Sequence, residues 1–582
     1  MKHLEGYILK FYNLLLRKDF KNLPIDGRNY LYNDKVYSSS IILPDSNLTL
    51  KEKSKINEVD EKKIITKAIK TFDMIPGPQG WPLIGTLFDY IKKNGYGFDN
   101  MFKAQYDRSL EFGTIYKEKI GPEVLVVITD PKEYSKVVRT DSKYPNRMAL
   151  EPMIHYRRIR NLPIGLFNAV GEDWHKYRKV LNSKMLDMKE ANNYLPRLNE
   201  VSTDFVQRLK IVSRLDNFCI EKELFKWAME SIGVLLFDSR LNCFQDPMPI
   251  KTTHFIESVA GYTRTLQSLI TDFPWYKYYK TKLWKENEKY ADVIFKTGED
   301  LVEEKVLEYE KNNTLQNTSL QSYSILSHLL MNTTWSKKEI NVTLIDLMMA
   351  AIETTCFAVL WTLYCLAKNP RVQNKLCEEI IQIKKSDGIN LDQMHQLNYL
   401  KCCVKEALRI YPVVYTTSRI IDKSLTLNEY DIPIKTHVQG SLYAMGRNKN
   451  LFDEPEIFVP ERWSNENITS TKDKNSDDYF QIDNVNQRNL KCPFSSNNTK
   501  TQMNIKKMSK EISSFASLPW GHGARMCIGR RISEVEIYTV ISNIIQHYEI
   551  ETIGKHMEDV DPVLHLVLCP SIKIKLKFTH RK

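Results

Sequence analysis

The sequence is poor in cysteine and lacks a long apolar run free of charge. Its 582 residues include 10 cysteines, which are irregularly spaced and form no Cys-x-x-Cys pair. Zinc ribbons and disulfide-rich secreted scaffolds are therefore excluded, and a reducing compartment is favoured. The charge-free part of the most apolar segment, Thr354–Ala367, is shorter than the ~20 residues that a membrane-spanning helix needs.

A strong excess of one charge is also missing. The chain has 83 Lys and Arg against 71 Asp and Glu, a formal net charge of +12. This mild excess allows an acidic partner or an anionic membrane surface but requires neither, and we expect no nucleic-acid partner. Hydrophobic residues make up 42% and charged residues 26%, which excludes collagen-like and wholly disordered chains.

One polar segment precedes the expected folded domain, and a second polar segment interrupts it. Residues 1–72 are predicted to be a poorly ordered targeting and linker segment, because basic and apolar residues alternate near the start and a lysine-rich stretch follows. The start is typical of a mitochondrial presequence or of an ordinary surface helix. Proline-rich Ile75–Pro78 marks the beginning of a domain over 73–582. The Asn-, Ser- and Lys-rich segment at about 464–510 is predicted to be a disordered insertion.

A long helix is predicted in the middle of the chain. Ser336 and Glu339 form a capping box, and neither Gly nor Pro follows until Pro370. Apolar residues on nearly every face indicate a buried helix. Glu353 and Thr354 interrupt it, and a carboxylate there is costly unless it has a partner, water or a ligand. Alternatively, Glu353 reaches past the edge of the helix to solvent.

A glycine-rich loop carries the most specific pattern in the sequence. Trp520–Arg531 reads W-G-x-G-x-R-x-C-x-G-x-x, with Cys527 just before a predicted helix. Helix N-terminal amides and the nearby Arg525 favour a thiolate. A thiolate on such a loop suits ligation of haem iron, whereas a single cysteine taken alone is more often structural.

With this loop, the chain resembles the cytochrome P450 family over roughly residues 72–580. The resemblance implies a mainly α-helical fold with a long central helix and a small β region. It also implies one haem b bound through Cys527 and monooxygenase activity. Trp520 replaces the phenylalanine of the family loop, so an aromatic ring is kept while an N–H and extra volume are added.

Further motifs follow the family's order. Three groups carry implied roles: a structural ion network from the E-x-x-R helix and a downstream arginine (Glu406, Arg409 and Arg462), haem propionate contacts (Trp174, Arg178, Arg419 and Arg525), and proton delivery during the activation of dioxygen (Glu353 and Thr354). Ala351 replaces the usual glycine of the last motif.

Several segments resemble the mitochondrial branch of the family, which hydroxylates sterols and secosteroids. The resemblance implies a basic docking surface for an acidic, adrenodoxin-like ferredoxin, made by Lys401, Lys405, Arg530 and Arg531. A flavoprotein reductase is the alternative donor. We expect no N-terminal membrane anchor, since no long apolar run is present near the start, and this expectation agrees with the mitochondrial branch. Residues 145–167 and part of 240–280 are expected to line the substrate pocket.

The sequence thus predicts a haem-thiolate monooxygenase that hydroxylates a lipophilic, sterol-like substrate with dioxygen. Its expected place is the matrix side of the inner mitochondrial membrane, with peripheral membrane association; the surface of the endoplasmic reticulum is the alternative. Two other functions stay open, namely a haem-thiolate isomerase or dehydratase and a haem-dependent lipid-binding protein without turnover.

Overall fold

Helices make up most of the described part of the chain, as the sequence predicts. The computed structural model describes residues 69–91, 95–311, 324–384, 388–464, 514–554, 557 and 559–581, together with the backbone of four short strands between 468 and 509. The chain divides into two units, Met1–Thr66 and Lys67–Lys582. The targeting and linker prediction for 1–72 lies almost wholly outside the described residues and stays a prediction.

The α helices are joined by connections of very different lengths, some of which contain strands. In chain order they are α1 (Leu87–Ile91), α2 (Met101–Phe112), α3 (Pro131–Arg139), α4 (Glu151–Ile159), α5 (Gly165–Asn168), α6 (Gly171–Met185), α7 (Met188–Val212), α8 (Ile220–Phe237), α9 (Ile250–Thr271), α10 (Lys282–Lys311), α11 (Ile325–Asn332), α12 (Lys337–Lys368), α13 (Pro370–Ile383), α14 (Leu391–Gln396), α15 (Asn398–Ile410), α16 (Leu442–Met445) and α17 (Arg530–His547).

The strands are short. They are β1 (Ile115–Ile120), β2 (Glu123–Ile128), β3 (Thr416–Ile420), β4 (Leu425–Leu427), β5 (Tyr430–Ile432), β6 (His437–Ser441), β7 (Ile468–Thr469), β8 (Tyr479–Val485), β9 (Thr501–Lys506), β10 (Met508–Ser509), β11 (Tyr548–Thr552), β12 (Pro562–His565), β13 (Val567–Pro570) and β14 (Leu576–His580). The largest sheet has the order β1-β2-β6-β3, with β2 and β6 parallel and the other pairs antiparallel.

The central helix α12 organises the core. Its N-terminal capping box between Ser336 and Glu339 is present, and its 32 residues confirm the predicted length. Helices α8, α10, α15 and α17 pack against it. Among the described residues α12 is the one helix whose length and hydropathy would allow a membrane crossing, and 78% of its most apolar window is buried inside the protein. It is therefore the core helix of the domain.

The predicted insertion at 464–510 lies mostly outside the described residues. Within it, the backbone of β8 pairs antiparallel with β9, and β7 pairs parallel with β10. The prediction of disorder for the segment stays a prediction.

A buried ion network joins α15 to the segment that follows α16. The Glu406 carboxylate accepts from Arg409 Nε and Nη2, both at 2.8 Å, and from Arg462 Nε at 3.2 Å. The Val459 amide and the Trp463 indole also donate to it. Burial alone would raise the pKa of Glu406, but the two guanidiniums outweigh burial and hold this pKa below its usual value.

We expect Glu406→Ala to destabilise the fold by about 3–5 kcal/mol, because it leaves two buried guanidiniums without a counter-charge. Urea unfolding and haem retention measure the effect. Glu551→Ala is the matched control, since its ion pair with Lys577 is more than half exposed and is worth about 0–1 kcal/mol. Equal losses in the two variants would contradict a structural role for the network.

Candidate active site

The cysteine loop is held in shape by two glycines and by several backbone hydrogen bonds. Gly521 and Gly523 have φ values of 69° and 78°, a conformation that side chains disfavour. A Cβ on Gly523 would also lie 2.8 Å from Asp141 Oδ2. The Cys527 amide donates to the Trp520 carbonyl at 2.8 Å, and α17 begins three residues after Cys527. Cys527 therefore lies on a narrow turn just before a helix N-terminus.

The thiol of Cys527 faces a cavity of about 450 Å³ and is accessible from it. Surrounding protein raises the pKa of this thiol, while the Gly529 amide and the guanidiniums of Arg178 and Arg530 act to lower it. A cation that binds the deprotonated sulfur would lower the pKa of this thiol further and stabilise the thiolate. The accessible thiol and the positive groups beside it are compatible with a metal-bound thiolate.

The same cavity is bounded mainly by apolar side chains. Aliphatic residues from α8, α12 and the segment after α15 line it, among them Leu235, Leu236, Leu347 and Val414. Met148 and Phe167 represent the expected 145–167 segment in the lining. None of the described residues of 240–280 lines this cavity, so the expectation for that range stays a prediction.

Two arginines that line the cavity each have a buried donor atom without a partner in the described chain. Arg178 on α6 has an unpartnered Nε, and Arg525 has an unpartnered Nη1. Burial lowers the pKa of Arg178 to about 10 and that of Arg525 to about 9. The Arg525 guanidinium lies 4.1 Å from the centre of the Trp174 ring, which fixes its position. Buried donors of this kind need an anion, and the carboxylates of a haem would fit them.

Two further arginines line the cavity. Arg419 was expected to contact a propionate, whereas Arg147 was not named as a cation of the site. Arg419 lines the cavity, but its Nε and Nη2 donate to Asp141 at 2.8 and 3.1 Å. Arg147 was not predicted as a cation of the site, yet it lines the cavity, and burial together with Arg419 and Arg178 lowers its pKa to about 10. No spacing pattern in the sequence marks Arg147, because a loop brings it there.

Two neighbouring residues of helix α12, Glu353 and Thr354, lie on different faces of the helix. Thr354 lines the cavity with Ala350 and Ala351, and its hydroxyl donates to the Ala350 carbonyl at 2.6 Å. Glu353 is absent from the cavity lining and accepts a hydrogen bond from Thr263 of α9 at 2.7 Å. The predicted acid and alcohol are adjacent in sequence, but only the alcohol faces the cavity.

The indole of Trp520 lines the cavity and is anchored below it. Its Nε1 donates to the Ser533 hydroxyl of α17 at 2.7 Å. Ser533 in turn donates to the Arg530 carbonyl at 3.0 Å. The indole N–H, which a phenylalanine at this position would lack, is therefore used in a hydrogen bond to α17.

The four cations expected to dock an electron donor come from α15 and α17. Arg530 and Arg531 both pair with Glu534, at 3.0 and 3.1 Å. Lys401 donates to the His395 carbonyl at 2.7 Å. Lys405 packs 3.9 Å from the centre of the Trp463 ring, and burial lowers its pKa to about 8. The charges of Lys401 and Glu534, and of Lys405 and Arg530, are close enough to interact.

Comparison with known proteins agrees with this geometry. The family model of cytochrome P450 matches residues 75–578. "Cytochrome P450 10" of Lymnaea stagnalis is 40% identical over 519 residues, covering 88% of this chain and 87% of that protein. The mitochondrial 1,25-dihydroxyvitamin D(3) 24-hydroxylase of Rattus norvegicus is 28% identical, covering 87% and 89%. The mitochondrial cholesterol side-chain cleavage enzyme of Oncorhynchus mykiss is 28% identical, covering 88% and 91%.

With a family match that spans nearly all of the described chain and a thiol loop that faces an apolar cavity, this chain belongs to the cytochrome P450 family and is a monooxygenase with haem b as its cofactor.

Proposed function

We propose that this monooxygenase hydroxylates a sterol-like substrate in mitochondria, with electrons from an acidic, adrenodoxin-like ferredoxin. The observation that carries the proposal is the cavity, in which the Cys527 thiol, the Thr354 hydroxyl and a largely aliphatic lining meet. Such a lining takes a rigid apolar molecule at little desolvation cost. Relatives named for a vitamin D 24-hydroxylase and for cholesterol side-chain cleavage, both mitochondrial, support this class of substrate and this location.

The chain's own groups would divide the work. Bound haem b supplies the iron at which dioxygen is activated, so that one oxygen atom enters a C–H bond and the other leaves as water. Cys527 would hold the iron, and Arg178 and Arg525 would receive the propionates on their unpartnered N–H groups. Thr354 would hold and pass a proton at Oγ1, on the face of α12 that lines the cavity.

The electron donor is proposed from the charges of α15 and α17. Lys401, Lys405, Arg530 and Arg531 carry four positive charges, and the negative charges of Glu379 and Glu534 lie near them, so an excess of positive charge remains. Such a surface attracts an acidic partner and speeds its association at low salt. Lys405 contributes less freely than the others because it is packed against Trp463.

Peripheral membrane association, at the matrix side of the inner membrane, is proposed from the connection between α9 and α10. Phe273, Tyr278 and Tyr279 are 47%, 74% and 57% exposed there. Exposed aromatic side chains favour the interface between lipid headgroups and water. A lipophilic substrate would reach the enzyme from that phase.

The overall proposal is tested by turnover in isotopically labelled dioxygen. We expect sterols to shift the haem from low to high spin, and one labelled oxygen atom to appear in the product when ferredoxin, its reductase and NADPH are present. Product without label would indicate an isomerase or dehydratase. A spin shift without any product would indicate a lipid-binding protein.

Ligation of the iron is tested at Cys527. Cys527→Ala should lose the red-shifted Soret band of the reduced carbon monoxide complex, because thiolate donation causes that shift. Cys219→Ala is the control, since Cys219 does not line the cavity. A retained band in Cys527→Ala would reject this residue as the ligand.

Docking is tested by reversing charges that are not buried in the core. We expect Lys401→Glu combined with Arg531→Glu to lower ferredoxin-driven turnover about tenfold or more at low salt and to leave peroxide-driven turnover unchanged. Lys289→Glu, on the exposed side of α10, is the matched control. If both kinds of turnover fall together, these residues do not dock the donor.

A further inference from the structure

The carboxyl group of Glu353 lies in an almost closed setting between helices. It is 7% exposed, and α8, α9 and β13 lie around this part of α12. The Thr263 hydroxyl is 2.7 Å from Glu353 Oε1. No other group of the described chain hydrogen-bonds this carboxyl, and none of its lysines or arginines forms an ion pair with it. A single hydroxyl therefore carries the whole hydrogen bonding of the group.

Burial is the main reason why the ionised form of Glu353 is costly, and Glu221 adds to this cost. Glu221 at the start of α8, Cys356 on α12 itself and Cys569 on β13 are close enough to couple to it electrostatically. Beyond them, Lys222 and Lys573 lie near Glu221. Burial raises the pKa of Glu353 to about 7, with Thr263 acting to lower it and Glu221 to raise it. Both protonation states are thus populated near neutral pH.

Thr263 has a choice of hydrogen-bond partners. Besides Glu353, its Oγ1 lies 3.0 Å from the Val259 carbonyl and 3.2 Å from the Ala260 carbonyl of its own helix. A hydroxyl has one proton to donate and two lone pairs that accept. When Glu353 is ionised, Thr263 can donate to it. When Glu353 is protonated, the acid can donate to Thr263 Oγ1 while Thr263 turns its proton to Val259.

We propose that Thr263 is a positioning residue that keeps Glu353 hydrogen-bonded in both protonation states, so that this buried acid gains and loses a proton without leaving an unpaired group. When a proton enters the Glu353 carboxyl, the Thr263 hydroxyl keeps its own proton. It turns away from Glu353 and donates its hydrogen bond to the Val259 carbonyl instead. The reverse rotation accompanies release. Use of this proton by Thr354 during turnover rests on the proposed function, whereas the exchange at Thr263 does not.

The exchange can be measured directly in the resting holoenzyme. Infrared titration follows the carbonyl band of protonated Glu353, isolated by subtracting the spectrum of the matching Glu353→Gln protein at each pH. We expect a midpoint near 7 for the unsubstituted protein. Thr263→Val should raise it by about one unit, because a bond to a carboxylate is stronger than a bond to the neutral acid. Thr263→Ser should restore it.

Two further variants sharpen the test. Thr265→Val makes the same substitution in the same helix, but its hydroxyl contacts Gly261, Tyr262 and Asn287 instead of Glu353, so the midpoint should stay unchanged. Thr263→Cys, with a weaker donor, should raise the midpoint in the same direction as Thr263→Val. An unchanged midpoint in Thr263→Val, or an equal shift in Thr265→Val, would overturn the proposal.

The band position tests the protonated state by itself. Below the midpoint, Thr263→Val should move the carbonyl band, because the acid then has no hydroxyl to donate to, and Thr263→Ser should return it. A band that does not move would show that protonated Glu353 does not bond Thr263, which overturns the two-state exchange.

The failure of this proposal is distinguishable from failure of the proposed function. If Glu353 supplies protons during turnover, the alkaline limb of the oxygen-dependent rate should rise with the infrared midpoint in Thr263→Val. An infrared shift with an unmoved alkaline limb would support the role of Thr263 and reject the proton-delivery role of Glu353.

Discussion

The buried carboxylate of Glu406 is the constraint on which the packing of α15 against the 446–463 segment depends. Burying a carboxylate is unfavourable unless every lone pair finds a donor. Arg409, Arg462, Trp463 and the Val459 amide together satisfy it, and the arginines extend to backbone carbonyls between 446 and 457. Helix α15 and the 446–463 segment, which consists of turns and one short 3-10 helix, are thereby fixed to each other.

The arginines of the active site differ from Glu406 in how fully their hydrogen bonding is satisfied. Glu406 has all its partners within the protein, whereas Arg178 and Arg525 keep buried donors that the protein does not satisfy. Burial is the main cause of their lowered pKa values, and the nearby cations Arg147, Arg419 and Arg178 lower the pKa of Arg525 further. In the proposed function, the two propionates of haem would meet these donors, so haem binding would stabilise the fold.

Helix α12 serves both the cavity and the core because successive side chains point about 100° apart around it. Thr354 faces the cavity, while Glu353 faces α9 and depends on Thr263. The same helix pairs Asp346 with Arg157 of α4, and Asp346 also accepts from the Phe167 amide at 3.2 Å. In this way one buried helix fixes the loop that carries Arg147, the cavity wall and the acid beside Thr354.

The sequence by itself determined the elements and the local patterns. The capping box at Ser336, the helix after Gly529 and the spacing of Glu406 and Arg409 depend on residues a few positions apart, so local physics is enough to predict them. Only the tertiary structure decided which groups meet across the chain. Arg147 entered the cavity, Arg419 paired with Asp141, the Trp520 indole found Ser533, and Glu353 turned to Thr263. The hydrogen bonds among these contacts join residues from 13 to 278 positions apart. Such distant pairs form because an unpaired buried polar group is costly, and its partner can lie anywhere in the chain.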